Sequence, residues 1–122
     1  ALSQLGRYDE ALAILNELRS KRLMPPVEVA NTALAFENAI LLERAKELAF
    51  EGKRWFDLMR MGRRNDFANK LKLIEILVEK VPSAQKLIFA NKLADPNGWY
   101  FPVYDVEIEK NPNLEQNPFY QF

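Results

Sequence analysis

Apolar residues recur through this chain at three- and four-residue steps, and no convincing pair of strands accompanies them. That period puts side chains on one face of a helix and so constrains the fold more than any other feature. Leu5, Tyr8, Ala11, Leu12, Leu15 and Leu18 form the first series. Gly6 interrupts it at a position that suits a helix C-cap, so residues 1–5 read as the end of a preceding helix. Pro25 and Pro26 end the first helix and open a linker. A second helical pattern spans residues 32–60 with Gly52 inside it, where a break and a second helical hairpin are expected. A third helix is predicted after Asn65 as N-cap, with Phe67, Leu71, Ile74 and Val78 on one face and Pro82 at its end. Residues 83–93 read as a further short helix. Asp95-Pro96-Asn97-Gly98 is a turn. The tail from Trp99 is rich in Pro and Asn, with one helical turn expected at residues 105–110.

The expected fold class is all-α, with helical hairpins and an irregular Pro/Asn-rich C-terminal tail. Gly6, Tyr8, Ala11, Leu15 and then Pro25 resemble the second half of a tetratricopeptide (TPR) repeat, in which a small Ala lets a partner helix approach closely. The chain has 122 residues, does not begin with Met, and reads as a single helical region, 1–122, belonging to a larger protein. A repeat cannot bury its apolar face alone, so Leu5, Tyr8 and Leu12 are expected to lack their natural partners. The sequence start lacks a secretory signal, and no apolar run is long enough to span a membrane.

Two absences narrow the chemistry. With no Cys and no His, the chain cannot build a Ser-His or Cys-His nucleophile, or the usual zinc and carboxylate-histidine iron sites. Neither a cofactor nor a metal is expected. Seventeen basic residues balance seventeen acidic ones, which gives no electrostatic reason to expect nucleic acid or an anionic membrane as partner.

The charged stretch 43–60 carries the most information. Glu43, Glu47 and Glu51 stack on one helix face at four-residue steps, where like charges repel unless cations compensate. Arg44, Arg54, Asp57 and Arg60 are interleaved with Leu48, Phe50, Trp55, Phe56 and Leu58. The mixture reads as a structural ion-pair network of Glu43, Arg44, Glu47, Glu51, Arg54, Asp57 and Arg60 packed against aromatic groups. Arg54 is expected to compensate the glutamates. A glycosidase pair would need one carboxyl with a raised pKa, and neighbouring arginines act in the opposite sense. Arg60, Arg63 and Arg64 with Lys53 read as a solvated or ion-paired turn, not a phosphate site. Trp99, Tyr100 and Tyr104 could stack on sugar rings, and Trp99 and Tyr100 are the ligand-binding candidates. A core role is the simpler reading for them and for Trp55 and Phe56, with Phe101-Pro102-Val103 as a buried anchor.

Glu43-Arg44, Glu47-Leu48-Ala49-Phe50-Glu51-Gly52, Arg54-Trp55-Phe56-Asp57-Leu58 and Arg60 resemble the C-terminal signature of the SusD/RagB family. Tyr100-Phe101-Pro102-Val103, Glu107-Ile108, Asn111-Pro112-Asn113-Leu114 and Gln116-Asn117-Pro118 resemble its closing segment. Tyr104 stands where the family usually has a second Pro, and Phe119-Tyr120 where it has Gly-Tyr. The resemblance implies a non-enzymatic, TPR-like surface lipoprotein of the Bacteroidetes outer membrane. Such a protein captures nutrients, commonly oligosaccharides, for a SusC-type TonB-dependent transporter. It also implies that the lipid-anchoring Cys and most ligand contacts lie outside these residues, which would then be mainly scaffold. The alternative is a helical-repeat adaptor that binds another protein.

Overall fold

The computed structural model describes residues 1–121 and is all-helical, with no strand among the described residues. The backbone divides into two compact units, Ala1–Asp57 and a second from Leu58 onward.

The first unit opens with a 3-10 turn, Leu2–Leu5, closed by Gly6 in the left-handed conformation at φ 73°. That geometry costs a Gly nothing in side-chain clash. Helix α1 (Tyr8–Lys21) follows directly. Ala11 and Leu15 are its buried apolar residues, and Tyr8 stacks on Phe36 with ring centroids 5.2 Å apart. Tyr8 therefore does have a partner, contrary to expectation, because α2 (Ala33–Glu47) supplies the ring. Leu12 is half-buried and Leu5 exposed. Helix α1 and α2 form a TPR-like hairpin against the opening turn. Thr32 caps α2, its hydroxyl accepting from the Ala35 amide. The linker between the helices is tied back by Asn16, whose side-chain amide both donates to the Val27 carbonyl and accepts from its N–H.

The expected break at Gly52 is present. Phe50 and Gly52 both take positive φ, 67° and 69°, before α3 (Arg54–Phe67) begins. The right-handed turn of α3 stops at Arg64, where ψ is 141°, and Asn65, Asp66 and Phe67 all adopt φ between 52° and 61°. Asn65 is thus not an N-cap. Short polar side chains make the left-handed region tolerable, and Asn65-Asp66 uses that property to reverse the chain. Helix α4 (Lys70–Val78) starts later than expected, and the register moves with it. Leu73 is fully buried, whereas Leu71 is exposed.

Leu58, Met59, Met61, Leu73 and Trp99 make the core of the second unit. Gly62 permits it: a Cβ there would lie 2.8 Å from the Leu73 Cδ1 and 3.0 Å from the Trp99 ring. A 3-10 turn, Ser83–Gln85, leads into α5 (Lys86–Ala94). A second 3-10 turn, Pro96–Trp99, is capped by Asp95. Helix α6 (Asp105–Lys110) falls on the residues expected for it. The tail closes with a 3-10 turn, Pro118–Tyr120, that lays Phe119 against Gly98.

One position is conformationally out of place. At the end of α1 the Met24 amide donates to the Arg19 carbonyl and the Leu23 amide to that of Ser20, which is the Schellman arrangement. The left-handed residue there is Leu23, at φ 55° and 95% exposed, with no packing in return. Left-handed backbone costs an L-residue roughly 1–2 kcal/mol, partly offset by the greater unfolded-state freedom of Gly. Leu23→Gly is therefore expected to stabilise the fold by about 0.5–1 kcal/mol. Urea denaturation of parent and variant at equal slope measures it, and a less stable variant would contradict this account of the helix end.

Candidate functional site

The charged stretch lies on the second half of α2 and the start of α3. Three cations from outside it, which sequence spacing did not nominate, take two of the three glutamates and one oxygen of a third. Arg19 of α1 donates from Nη1 to the Glu43 Oε2 at 2.6 Å and from Nε to the Pro25 carbonyl at 2.8 Å. Both side chains of that ion pair are nearly buried. Arg22 forks onto both oxygens of Glu47. Glu51 pairs with Lys53 at 2.7 Å, and Lys46 approaches Glu43 at 3.9 Å. Arg44 makes a bidentate pair with the buried Asp57, both bonds at 2.9 Å. Arg54, expected to compensate glutamates, instead donates to the Leu41 carbonyl at 2.7 Å. Its place is fixed by α2 ending at Glu47, which brings a main-chain oxygen within its reach. Arg60 is exposed at the surface and engaged in an interaction of its own.

The electrostatics follow the pairing. The hydrogen bond from Arg22 holds the Glu47 carboxyl below the usual carboxylate range, and Glu47 in turn raises Arg22. Arg44 is raised chiefly by its bond to Asp57. A carboxyl held down in this way is poised as an anion and not as a proton donor. Beside these pairs an open groove of about 420 Å³ runs between the opening turn, α1 and α2. Leu2, Ile14, Leu15, Leu18 and Ile40 make it apolar, and Glu43 and Glu47 stand at its edge.

In the second unit the aromatic candidates separate. Trp99 is only 2% exposed, and its indole N–H donates to the Leu93 carbonyl at 2.9 Å. Phe67 meets it edge-on with centroids 5.5 Å apart. This is core packing. Tyr100 is partly exposed beneath the Arg63 guanidinium, which sits 5.5 Å from its ring centre. Tyr104 is 70% exposed, and Phe101 and Pro102 are exposed as well, so the expected buried anchor is not there. The reason is that Val103 is pinned by its backbone: Gln116 accepts from its N–H at 2.9 Å and donates to its carbonyl at 2.8 Å. The neighbours of a residue held this way point outward, and Trp99 takes the anchoring role. Phe56 is likewise exposed, while Trp55 is half-buried. Among the described residues no cluster of carboxylates is placed to hold a metal ion, and no helix is long and apolar enough to cross a membrane.

A TPR-like hairpin braced by arginine–carboxylate pairs, followed by an amide-braced tail, defines a helical scaffold protein. The family model of the SusD family matches residues 1–120, and the chain belongs to that family. It is similar to the SusD-like protein P38 of Formosa agariphila, 30% identical over 125 aligned residues. That alignment covers 96% of this chain and 21% of the relative, so the chain spans about a fifth of the relative's length. No solved structure matches significantly.

Breaking the buried pair should cost far more than altering an exposed charge. Arg19→Leu removes both the Glu43 bond and the Pro25 bond and is expected to destabilise by about 3–5 kcal/mol, because Glu43 is left nearly buried without its partner. Arg63→Ala should change stability by no more than about 0.5–1 kcal/mol. Thermal melts of both variants compare them directly, and an Arg19→Leu protein melting with the parent would overturn the bracing role.

The Glu47 shift carries a pH signature. A carboxyl whose folded pKa is depressed stabilises the fold fully above its ordinary value of 4.5 and loses that contribution as pH falls through the lower folded value. Glu17, held down by Lys21, acts with the same sign. Glu47→Gln should therefore flatten part of the acid limb of the stability–pH curve below 4.5 and leave the Glu17 part in place. An unchanged acid limb would mean that the fork does not persist in solution.

Proposed function

We propose that this chain serves nutrient capture at the cell surface. In this reading a SusD-like lipoprotein of the outer membrane holds a glycan and passes it to a SusC-type TonB-dependent transporter. The carrying observation is the family match over residues 1–120. Within that assembly the segment is mainly scaffold. Glu43, Arg44, Glu47, Glu51, Arg54 and Asp57 hold α1, α2 and the start of α3 to one another, and Arg60 extends the charged row. Trp99 is committed to the core, which leaves Tyr100, with Tyr104 beside it, as the ring available to a ligand.

The protein binds without transforming its ligand in this proposal. The chain contains neither His nor Cys, and the pairing of Glu47 with Arg22 favours its ionised form, which suits no general acid. A longer protein of this family containing this segment should bind an oligosaccharide from a panel by calorimetry and return it intact on product chromatography. The segment alone should bind the same glycan weakly or not at all. Sugar release that disappears on Glu47→Gln would sink the reading of a non-catalytic protein. Equal affinity of segment and longer protein would move the ligand site onto Tyr100 and Tyr104.

A further inference from the structure

Helix α5 is apolar on every side, yet it is covered on only one. Ala90 and Leu93 face the packed side and are half-buried, while Leu87, Ile88 and Phe89 are 72, 57 and 44% exposed. A helix of that composition ordinarily lies in a protein interior. It is also firmly held. Helix α4 and the turn Pro96–Trp99 pack against it, Lys70 Nζ donates to the Ala94 carbonyl at 3.1 Å, and Trp99 takes the Leu93 carbonyl. The exposed side is therefore a preformed surface and not a frayed end. Its charge is one-sided: α5 contains Lys86 and Lys92 and no acidic residue. Lys92 lies four residues beyond Ile88 and three beyond Phe89, inside the apolar arc. Asp95, the next acid along the chain, turns its carboxylate onto the Asn97 amide.

We propose that the Leu87–Ile88–Phe89 side of α5 is a docking surface for an amphipathic helix of another polypeptide, one whose apolar stripe is flanked by carboxylates. The apolar stripe covers the three side chains, and a carboxylate meets Lys92. Two other occupants fit less well. Two copies of this chain meeting through α5 would set like charges against each other. A lipid surface selects helices with apolar and charged faces segregated, whereas Lys92 lies within the apolar arc. Helix-on-helix docking requires only a few buried anchors and a charge match at their edge.

The probe is a fluorescently labelled synthetic helix of about 18 residues, with leucines along one face and glutamates beside them, long enough to be helical when bound. A second peptide replaces each glutamate with lysine. In anisotropy titrations the glutamate peptide is expected to bind at least about tenfold more tightly than the lysine peptide. Ile88→Asp should weaken it by about tenfold or more, and Leu34→Asp, on the exposed side of α2, should not. Lys92→Glu should reverse the preference between the peptides, and this variant changes only an exposed charge, so it reports even if Ile88→Asp perturbs the fold. Equal binding of both peptides, no binding of either, or an unreversed preference in Lys92→Glu overturns the proposal. So does retention on phosphatidylglycerol vesicles that Ile88→Asp abolishes, or a dimer in sedimentation that the same variant dissociates.

Discussion

The Arg19 guanidinium is the contact on which the first unit depends. One side chain joins three pieces of chain: α1 that carries it, the linker through the Pro25 carbonyl, and α2 through Glu43. Burying a cation is costly unless its donors are satisfied and its charge is met. Arg19 meets both conditions, and can do so only if the linker returns to the C-terminal end of α1 and α2 runs alongside it. The pair thereby specifies how the hairpin closes more than it adds to the strength of closure. Asn16 and its grip on Val27 point the linker the same way.

Arginine–carboxylate pairing continues up α2 with a gradient of burial. Glu43 is nearly enclosed with Arg19, Glu47 is more accessible with Arg22, and Glu51 lies in the open with Lys53. The three glutamates that repel one another along the helix are each relieved by a cation from elsewhere in the chain. Arg44 reaches across the Gly52 break to Asp57, so the break is bridged electrostatically as well as covalently. The anionic row is thus a fastening, and its carboxylates are engaged within the fold.

The parts of this fold that follow from local chemistry could be read in the sequence. Gly6, Thr32, Gly52, Pro82 and Asp95 mark ends and turns because their backbone preferences act over a few residues, and α6 was legible for the same reason. The parts set by distant contacts could not be read. Nothing near Glu43 says that Arg19, twenty-four residues away, will answer it. Asn65 looks like an N-cap because Asn serves equally well as a cap and as a left-handed residue, and only the packing of Trp99 against Gly62 and Leu73 decides between them. The aromatic tail misled for a related reason. An aromatic cluster beside Pro usually reads as core, but Gln116 fixes the backbone at Val103 and leaves Phe101 and Tyr104 outside. For the site, the charged row was legible and its partners were not.

The two amide clamps, Asn16 on Val27 and Gln116 on Val103, have an evolutionary corollary. Each reads a peptide group, donor and acceptor together, and ignores the side chain attached to it. Across descendants of this chain, positions 27 and 103 can drift freely as far as the clamp is concerned, short of Pro, which lacks the N–H. Positions 16 and 116 cannot drift, because a carboxylate there would accept but no longer donate. The irregular segments of this helical protein are therefore free to change their surface chemistry while keeping their course, which suits a family that must vary what it touches without rebuilding how it is held.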